Sequence, residues 1–164
     1  MNAQSETWAE KLGLGTLRES DEPLVNDLLD LLGATEVDMT LFFRHLCSIN
    51  EPDVAHAADA FYEGSEPDTS AWNRWLKRWW ERVDGQPDRD GMRRANPKYV
   101  LRNWMAQLAI DAAEERGDFS VAEELHELLK RPYDEQPEHE AKWFQKRPEW
   151  ARHRVGCSML SCSS

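Results

Sequence analysis

The 164-residue sequence has few cysteines, three in all, and their spacing matches no disulfide framework. Two of the three, Cys157 and Cys162, fall within the last eight residues. A disulfide in such a chain is expected to be transient rather than structural, which is typical of a reducing compartment. The sequence is therefore not that of a small secreted domain held together by disulfides.

The sequence also lacks long apolar runs, since no stretch of about eighteen apolar residues occurs in it. Its start, MNAQSETWAEKL, has neither the basic region nor the apolar region of a secretory signal. We therefore expect a soluble, cytoplasmic protein with no membrane partner.

Basic residues are in the minority, which gives a formal net charge of −11. Residues 1–70 hold 15 acids and 3 bases, residues 71–102 hold 4 and 9, and residues 103–164 hold 12 and 8, so the segments carry −12, +5 and −4. An acidic chain is disfavoured as a nonspecific partner of nucleic acid or of anionic membranes. Only the basic middle segment leaves local nucleic-acid binding open.

Motifs for metal or nucleotide chemistry are missing as well. The five histidines form no HExxH and no zinc spacing with cysteines, and the GLG at 13–15 is neither a dinucleotide fingerprint nor a P-loop. Nothing resembles the HRD or DFG motifs of kinases. The sequence thus predicts no catalytic residue, no metal ligand and no cofactor-binding residue within this chain.

Helical patterns dominate what is present, and strand patterns hardly occur. A hydrophobic content of 40% with eight tryptophans indicates a folded core. Ser20 is predicted to cap a helix that Gly33 ends, and Asp38 is predicted to cap the next. Asp53 is predicted to cap a third helix that ends at Gly64. We expect an all-α, irregular multi-helix bundle.

The segment SAWNRWLKRWWERV, residues 70–83, has a helical stripe of large apolar side chains. Its tryptophans recur at spacings of three and four residues, while arginine and lysine occupy the opposite face. Aromatic and basic residues together could form a stacking platform for single-stranded nucleic acid. Because the two classes lie on opposite faces, the pattern favours core packing instead.

Asn96 and Pro97 are predicted to start the longest helix, which Gly117 ends. Ser120 and Glu123 form a potential capping box for the helix after it. Beyond that helix, Pro132, Pro137 and Pro148 leave room only for short helical turns.

The three cysteines have different expected roles. Cys47, in FFRHLCSI, is interpreted as a small buried hydrophobe. Cys157 and Cys162 are expected to be accessible, because the ends of chains are usually exposed. The two could form a disulfide with each other, either could reach another surface, or both could be incidental thiols of a frayed end.

Three stretches of the sequence resemble the C-terminal region of the selenoprotein O (SelO, YdiU) family of protein adenylyltransferases. They are residues 96–138, the terminal CSMLSCSS and, more loosely, WAEKLGL with DMTLFFRHL. The order of these segments agrees with the family, and the resemblance covers nearly the whole chain.

The resemblance implies a kinase-like pseudokinase fold that binds ATP in a flipped orientation and, with Mg or Mn, transfers AMP to hydroxyls of protein substrates. Members end in a redox-active cysteine or selenocysteine two residues before the final residue, a position that Cys162 matches. Cys157 is then implied as a nearby resolving or spare thiol. No position here matches the family's glycine-rich loop, nucleotide-binding lysine, catalytic aspartate or metal ligands.

The sequence is therefore interpreted as a helical C-terminal module, residues 1–150, followed by a flexible redox tail, residues 151–164. Its expected partner is the missing N-terminal kinase-like domain, in cis or as a split subunit, and alone it is expected to be inactive. The alternative is a stand-alone helical thiol or interaction module without nucleotidyltransferase activity.

Overall fold

A computed structural model describes residues 3–155 and Cys157, with side chains described from Thr7 onward. The α-helices of these residues are α1 (Ala3–Lys11), α2 (Glu22–Ala34), α3 (Met39–Leu46), α4 (Thr69–Arg82), α5 (Arg89–Ala95), α6 (Asn103–Arg116), α7 (Ser120–Leu129), α8 (Pro137–Trp143) and α9 (Glu149–Arg152). Two 3₁₀ helices span Glu19–Asp21 and Val54–Ala60. The described part of the chain contains no strand, only a β-bridge between Val37 and Phe61, so the predicted all-α class is confirmed. None of its helices combines the length and the apolar character needed to cross a membrane.

The chain forms two compact units, Met1–Asn96 and Pro97–Ser164, which we call the N-unit and the C-unit. In the N-unit, α1 packs on α5, α2 on α4, and α3 on the second 3₁₀ helix. In the C-unit, α6 packs on α7. The boundary expected at residue 150 between a module and a tail stays a prediction.

The core of the N-unit is built around the tryptophans of α4. Trp72, Trp75 and Trp79 are at most 2% exposed, which confirms the predicted buried stripe. Phe42 of α3 lies 4.9 Å from Trp72 between ring centroids, and Trp75 stacks on Trp79 at 6.3 Å. Aromatic pairs at such distances add about 0.5–1.5 kcal/mol each to the free energy gained by burial.

The C-unit has a smaller core, contributed by α6, α7, α8, α9 and the residues that flank them. Its buried members are Tyr99, Trp104, Met105, Leu125, Leu128, Trp143, Ala151 and Cys157. Trp104 of α6 stacks on Trp143 of α8, with ring centroids 5.9 Å apart. The last described residue of the chain is therefore part of this core.

Three of the predicted N-unit boundaries are wrong. Ser20 lies inside the first 3₁₀ helix, with no cap at that position, and Gly33 lies within α2 rather than after it. Asp53 does cap the next element, since its carboxylate accepts from the amide of Ala55. That element is a 3₁₀ helix with a kink at Ala57, whose dihedrals are non-helical, and it ends at Ala60 rather than at the predicted Gly64. Asp38 caps α3 as predicted.

The helix predicted to begin at Pro97 begins six residues later, at Asn103. Residues 97–102 are instead tied to the chain after α7, because the amides of Lys98 and Tyr99 both donate to the carbonyl of Pro132. α6 spans 14 residues, so it shares the greatest length among the described helices with α4.

The start of α7 also differs from the prediction. Its N-cap is Phe119, and Ser120 is its first residue, so the expected capping box with Glu123 does not form. The carboxylate of Asp118 accepts from the Ser120 amide instead. Gly117 ends α6 in the left-handed conformation, as its position predicts.

The short helices α8 and α9 confirm the expectation of brief helical turns after Pro132. Helix α5, which the sequence did not predict, has Gly91 inside it. Its start is stabilised by Asp88, whose carboxylate accepts from the amide of Gly91.

Gly13 is needed where α1 meets α5. It has a positive φ of 63°, and a Cβ built there would lie 2.7 Å from Sδ of Met92. The Gly13 carbonyl also accepts from the amide of Asp88. The GLG sequence is thus a close-packed turn at this helix contact.

Candidate functional site

The two predicted redox residues differ in what the structure describes of them. Cys162 lies outside the described residues. Cys157 is described, and its expected accessibility is wrong, because only 5% of the residue is exposed. It is a free thiol in the apolar core of the C-unit. No thiol partner in the described part of the chain faces it.

Cys157 is held by the segment that precedes it, which we call the C-terminal strap: residues 149–155 and Cys157. Ala151 of α9 is fully buried in the C-unit core. Three residues on, Arg154 forms a two-pronged ion pair with Asp111 of α6, both N···O distances being 2.7 Å. The Cys157 amide donates to the Arg154 carbonyl at 3.0 Å, so the turn that carries the thiol is fixed by these contacts.

A neighbouring side chain of α6 orients the Asp111 carboxylate for this ion pair. Gln107, one turn earlier in α6, donates to Oδ1 of Asp111 at 2.8 Å. Hydrogen bonds from Arg154 and Gln107 lower the pKa of Asp111 below its ordinary value, and the pairing with Asp111 raises the pKa of Arg154. The guanidinium of Arg154 also lies 5.7 Å from the ring centroid of Trp150, so a second residue of the strap stabilises this cation through a cation–π contact.

Lys98 is a buried charge that sequence reasoning did not single out. Its ammonium, in a residue only 4% exposed, contacts the carboxylates of Glu135 and Glu140 at 2.9 and 2.7 Å. It also lies 5.1 Å above the ring of Phe144. Next to it, the hydroxyl of Tyr99 donates to the carbonyls of Glu135 and Gln136. These contacts fix the non-helical segment 97–102. The only feature of the sequence that pointed to Lys98 is its position within residues 96–138, the stretch that resembles the SelO family.

Cys47, in the N-unit, has no exposed surface and follows α3 directly. Burial raises the pKa of its thiol despite the nearby guanidinium of Arg44. The thiol donates to the carbonyl of Phe43 at 3.2 Å. Because a buried thiol kept protonated is a poor nucleophile, the prediction of a structural Cys47 is confirmed.

The aromatic and basic helix α4 does not present an aromatic surface. The indole nitrogens of Trp75 and Trp79 donate to the carbonyls of Leu24 and Leu12, both at 2.8 Å. On the other side, Arg78 and Arg82 pair with Asp27 and Asp21. The buried indoles confirm core packing over the alternative of a stacking platform.

No three His, Cys, Asp or Glu side chains among residues 3–155 and Cys157 lie close enough to hold a metal ion. The candidate site is therefore the C-terminal strap and its thiol, Cys157.

Comparisons with known proteins identify the family. The family model described as "Protein adenylyltransferase SelO" matches residues 2–130. Two proteins named "Protein nucleotidyltransferase YdiU" are each 47% identical to this chain. The match to the protein from Flavobacterium johnsoniae covers 97% of this chain and 33% of that protein. The match to the protein from Azoarcus sp. covers 95% of this chain and 31% of that protein. The relative from Rhodopirellula baltica is also 47% identical, over 95% and 33%.

This chain thus spans about a third of the length of the curated relatives it matches. The match covers both units almost completely. The chain belongs to the SelO family of protein adenylyltransferases.

Proposed function

We propose that this chain is the C-terminal helical part of a SelO-type protein adenylyltransferase. In the complete enzyme, AMP would pass from ATP, with Mg or Mn, to hydroxyls of protein substrates. The ATP and metal sites would lie on a kinase-like domain, joined to this chain in cis or acting as a separate subunit. This chain would pack on that domain and provide Cys162 as a redox-active cysteine.

One observation carries the proposal: the 47% identity extends over 97% of the chain yet only 33% of the relative. Nucleotidyl transfer needs donors and metal that stabilise the developing charge. No metal-binding cluster is found in the described part of this chain. A supporting role beside a catalytic domain accounts for both findings.

The fixed strap supports the assignment of Cys162. Arg154 is tied to Asp111, and Cys157 is buried, so Cys162 follows an anchored point by five residues. Five residues reach at most about 18 Å when extended. A redox partner of Cys162 would therefore lie within about that distance of Cys157.

A stand-alone thiol module is less well supported. Such a module would need an accessible thiolate with a lowered pKa. Both cysteines that the structure describes, Cys47 and Cys157, are buried instead.

A chimera tests the proposal directly. The corresponding third of the Flavobacterium johnsoniae relative is replaced by this chain, and transfer of labelled AMP from ATP to protein is measured with Mg²⁺ and with Mn²⁺. We expect transfer by the chimera and none by the isolated chain. A folded chimera that transfers no AMP, while the intact relative does, would contradict the proposal.

The redox role is tested in the same chimera. Cys162→Ser should abolish any difference in AMP transfer between reducing and oxidising buffer. Cys47→Ser is the matched control, because that thiol has no exposed surface and should leave the difference unchanged. Equal responses of the two variants would remove Cys162 from the proposal while leaving the adenylyltransferase assignment intact.

A further inference from the structure

A groove on the surface of the N-unit lies between α2 and α4, and we call it the α2–α4 groove. Its volume is about 350 Å³, at the small end of the range for binding sites. Trp75 of α4, only 2% exposed, and the half-buried Leu31 of α2 line it. Ala34 and Ala71, one from each helix, also line it, and their small side chains leave room for a partner. The groove therefore offers apolar surface that gains free energy when it is covered.

The two sides of the groove carry opposite charges. Asp27 and Asp30 lie one turn apart on α2, and Arg74 and Arg78 lie one turn apart on α4. Arg78 pairs with Asp27, so these two charges satisfy each other. The side chains of Asp30 and Arg74 have no hydrogen bond or ion pair with any described residue. One carboxylate and one guanidinium therefore remain free, on opposite sides of the same groove.

We propose that the α2–α4 groove docks an amphipathic helix of the kinase-like domain, an inference that rests on the proposed function. The helix lays its apolar face on Trp75 and Leu31, as one helix packs into the groove between others. It presents a basic side chain to Asp30 and an acidic side chain to Arg74. These two charges set the direction of the helix, because the reverse direction brings like charges together.

The size of the groove favours a helix of the same enzyme over a free partner. Stable interfaces between free proteins bury about 800 Å² on each partner, whereas this groove holds only a few side chains. A segment of the same polypeptide needs less area, because its effective concentration is high. Most of the length of the curated relatives lies outside the region that this chain matches. The groove itself lies within residues 2–130, which the family model matches.

The test is the reactivity of a thiol placed in the groove. Ala34→Cys is made in the full chain and in the chimera with the Flavobacterium johnsoniae relative, and alkylation of the new thiol is followed by mass spectrometry of its peptide. Ala34 is exposed in this chain, so the thiol should react about ten-fold or more slowly in the chimera, where the helix covers it. Gly33→Cys is the matched control, because a Cβ there meets nothing within 4 Å and Gly33 does not line the groove. Its thiol should react at the same rate in both proteins.

Charge reversal tests whether the two free charges recognise the helix. In the chimera, Arg74→Glu should raise the alkylation rate of the Ala34→Cys thiol about five- to ten-fold, because like charges then face each other. Asp30→Lys should act in the same way. Lys77→Glu is the matched control, because it makes the same change of charge at an exposed position of α4 that does not line the groove. Circular dichroism should show that all variants stay folded, since Asp30 and Arg74 make no contact of this kind within the N-unit.

The outcomes separate this inference from the proposed function. An Ala34→Cys thiol that reacts as fast in the chimera as in the isolated chain overturns the docking helix, and AMP transfer by the same chimera keeps the adenylyltransferase assignment intact. A protected thiol in a chimera without AMP transfer supports the docking and contradicts the activity. Equal effects of Arg74→Glu and Lys77→Glu overturn the docking helix. So does protection that appears in the isolated chain as its concentration rises, because the occupant is then a second copy.

Discussion

The two units of this chain hold themselves together by different means. The N-unit buries a row of tryptophans from one long helix, and the indole nitrogens of Trp75 and Trp79 donate to backbone carbonyls of other segments. The C-unit has a smaller aromatic core, and side-chain ties fix its irregular segments: Lys98 to two glutamates, Tyr99 to two carbonyls, and Arg154 to Asp111. The ion pairs of the C-unit reach partly exposed carboxylates and are therefore screened by salt, whereas the Asp21–Arg82 pair of the N-unit is almost fully buried. Polar contacts therefore contribute more to the order of the C-unit, whose apolar core is smaller.

Removing a tryptophan of α4 should have the largest effect. Trp79→Ala removes a side chain with no exposed surface that stacks on Trp75, and should lower the free energy of unfolding by about 3–5 kcal/mol. Trp79→Phe, which keeps an aromatic ring, should cost less. Urea unfolding followed by near-UV circular dichroism measures both variants. A loss below about 1 kcal/mol for Trp79→Ala would contradict the packing account of the N-unit.

Gly13→Ala tests the tightest backbone contact of the N-unit. The new Cβ would press on the side chain of Met92 in a left-handed backbone conformation, and should cost about 1–3 kcal/mol. Gly15→Ala is the matched control, since it has a similar φ of 70° but open space around the Cβ. The difference between their thermal midpoints isolates the contact with α5. Equal shifts would mean that backbone conformation alone accounts for the effect.

Tyr99→Phe tests the polar ties of the C-unit. The variant loses a hydroxyl that donates to the carbonyls of Glu135 and Gln136 while keeping the ring in the core, and should cost about 1–2 kcal/mol. Hydrogen exchange of residues 97–102 should accelerate in this variant. Tyr133→Phe is the control, because Tyr133 is 47% exposed. If the two variants behave alike, the ties do not order this segment.

The stability of the N-unit should depend on pH through Asp21. This should be the smallest of the four effects. Burial raises the pKa of its carboxyl, but hydrogen bonds from the Arg82 side chain and the Arg18 amide lower it more, so that the pKa in the folded chain is below the ordinary value. Its stabilisation is therefore complete above the unfolded pKa, about 3.9, and is lost as pH falls through the folded pKa.

Urea midpoints of the wild type and Asp21→Asn, measured from about pH 6 down to about pH 2, test this dependence. The variant should be less stable at the upper end, and the difference should shrink with acid. Asp27→Asn, which removes the half-exposed pair with Arg78, is the control. A difference that stays constant over the whole range would show that the ionised carboxylate is not what stabilises this contact.

The sequence by itself determined the helical class, the buried face of α4, the caps at Asp38 and Gly117, and the family. These follow from contacts within a few residues along the chain, where the helical period and the cap residues act directly. The structural role of Cys47 was predictable for the same reason, since its neighbours FFRHL are apolar on one face.

Only the tertiary structure decided where α6 begins and whether Cys157 is exposed. Residues 97–102 remain outside α6 because the Pro132 carbonyl takes the amides of Lys98 and Tyr99 from more than thirty residues away. Cys157 is buried because it packs into the C-unit core, next to the point where Arg154 meets Asp111 across 43 residues. No local pattern encodes such a pairing, since its free energy exists only after both segments have been brought together by the fold.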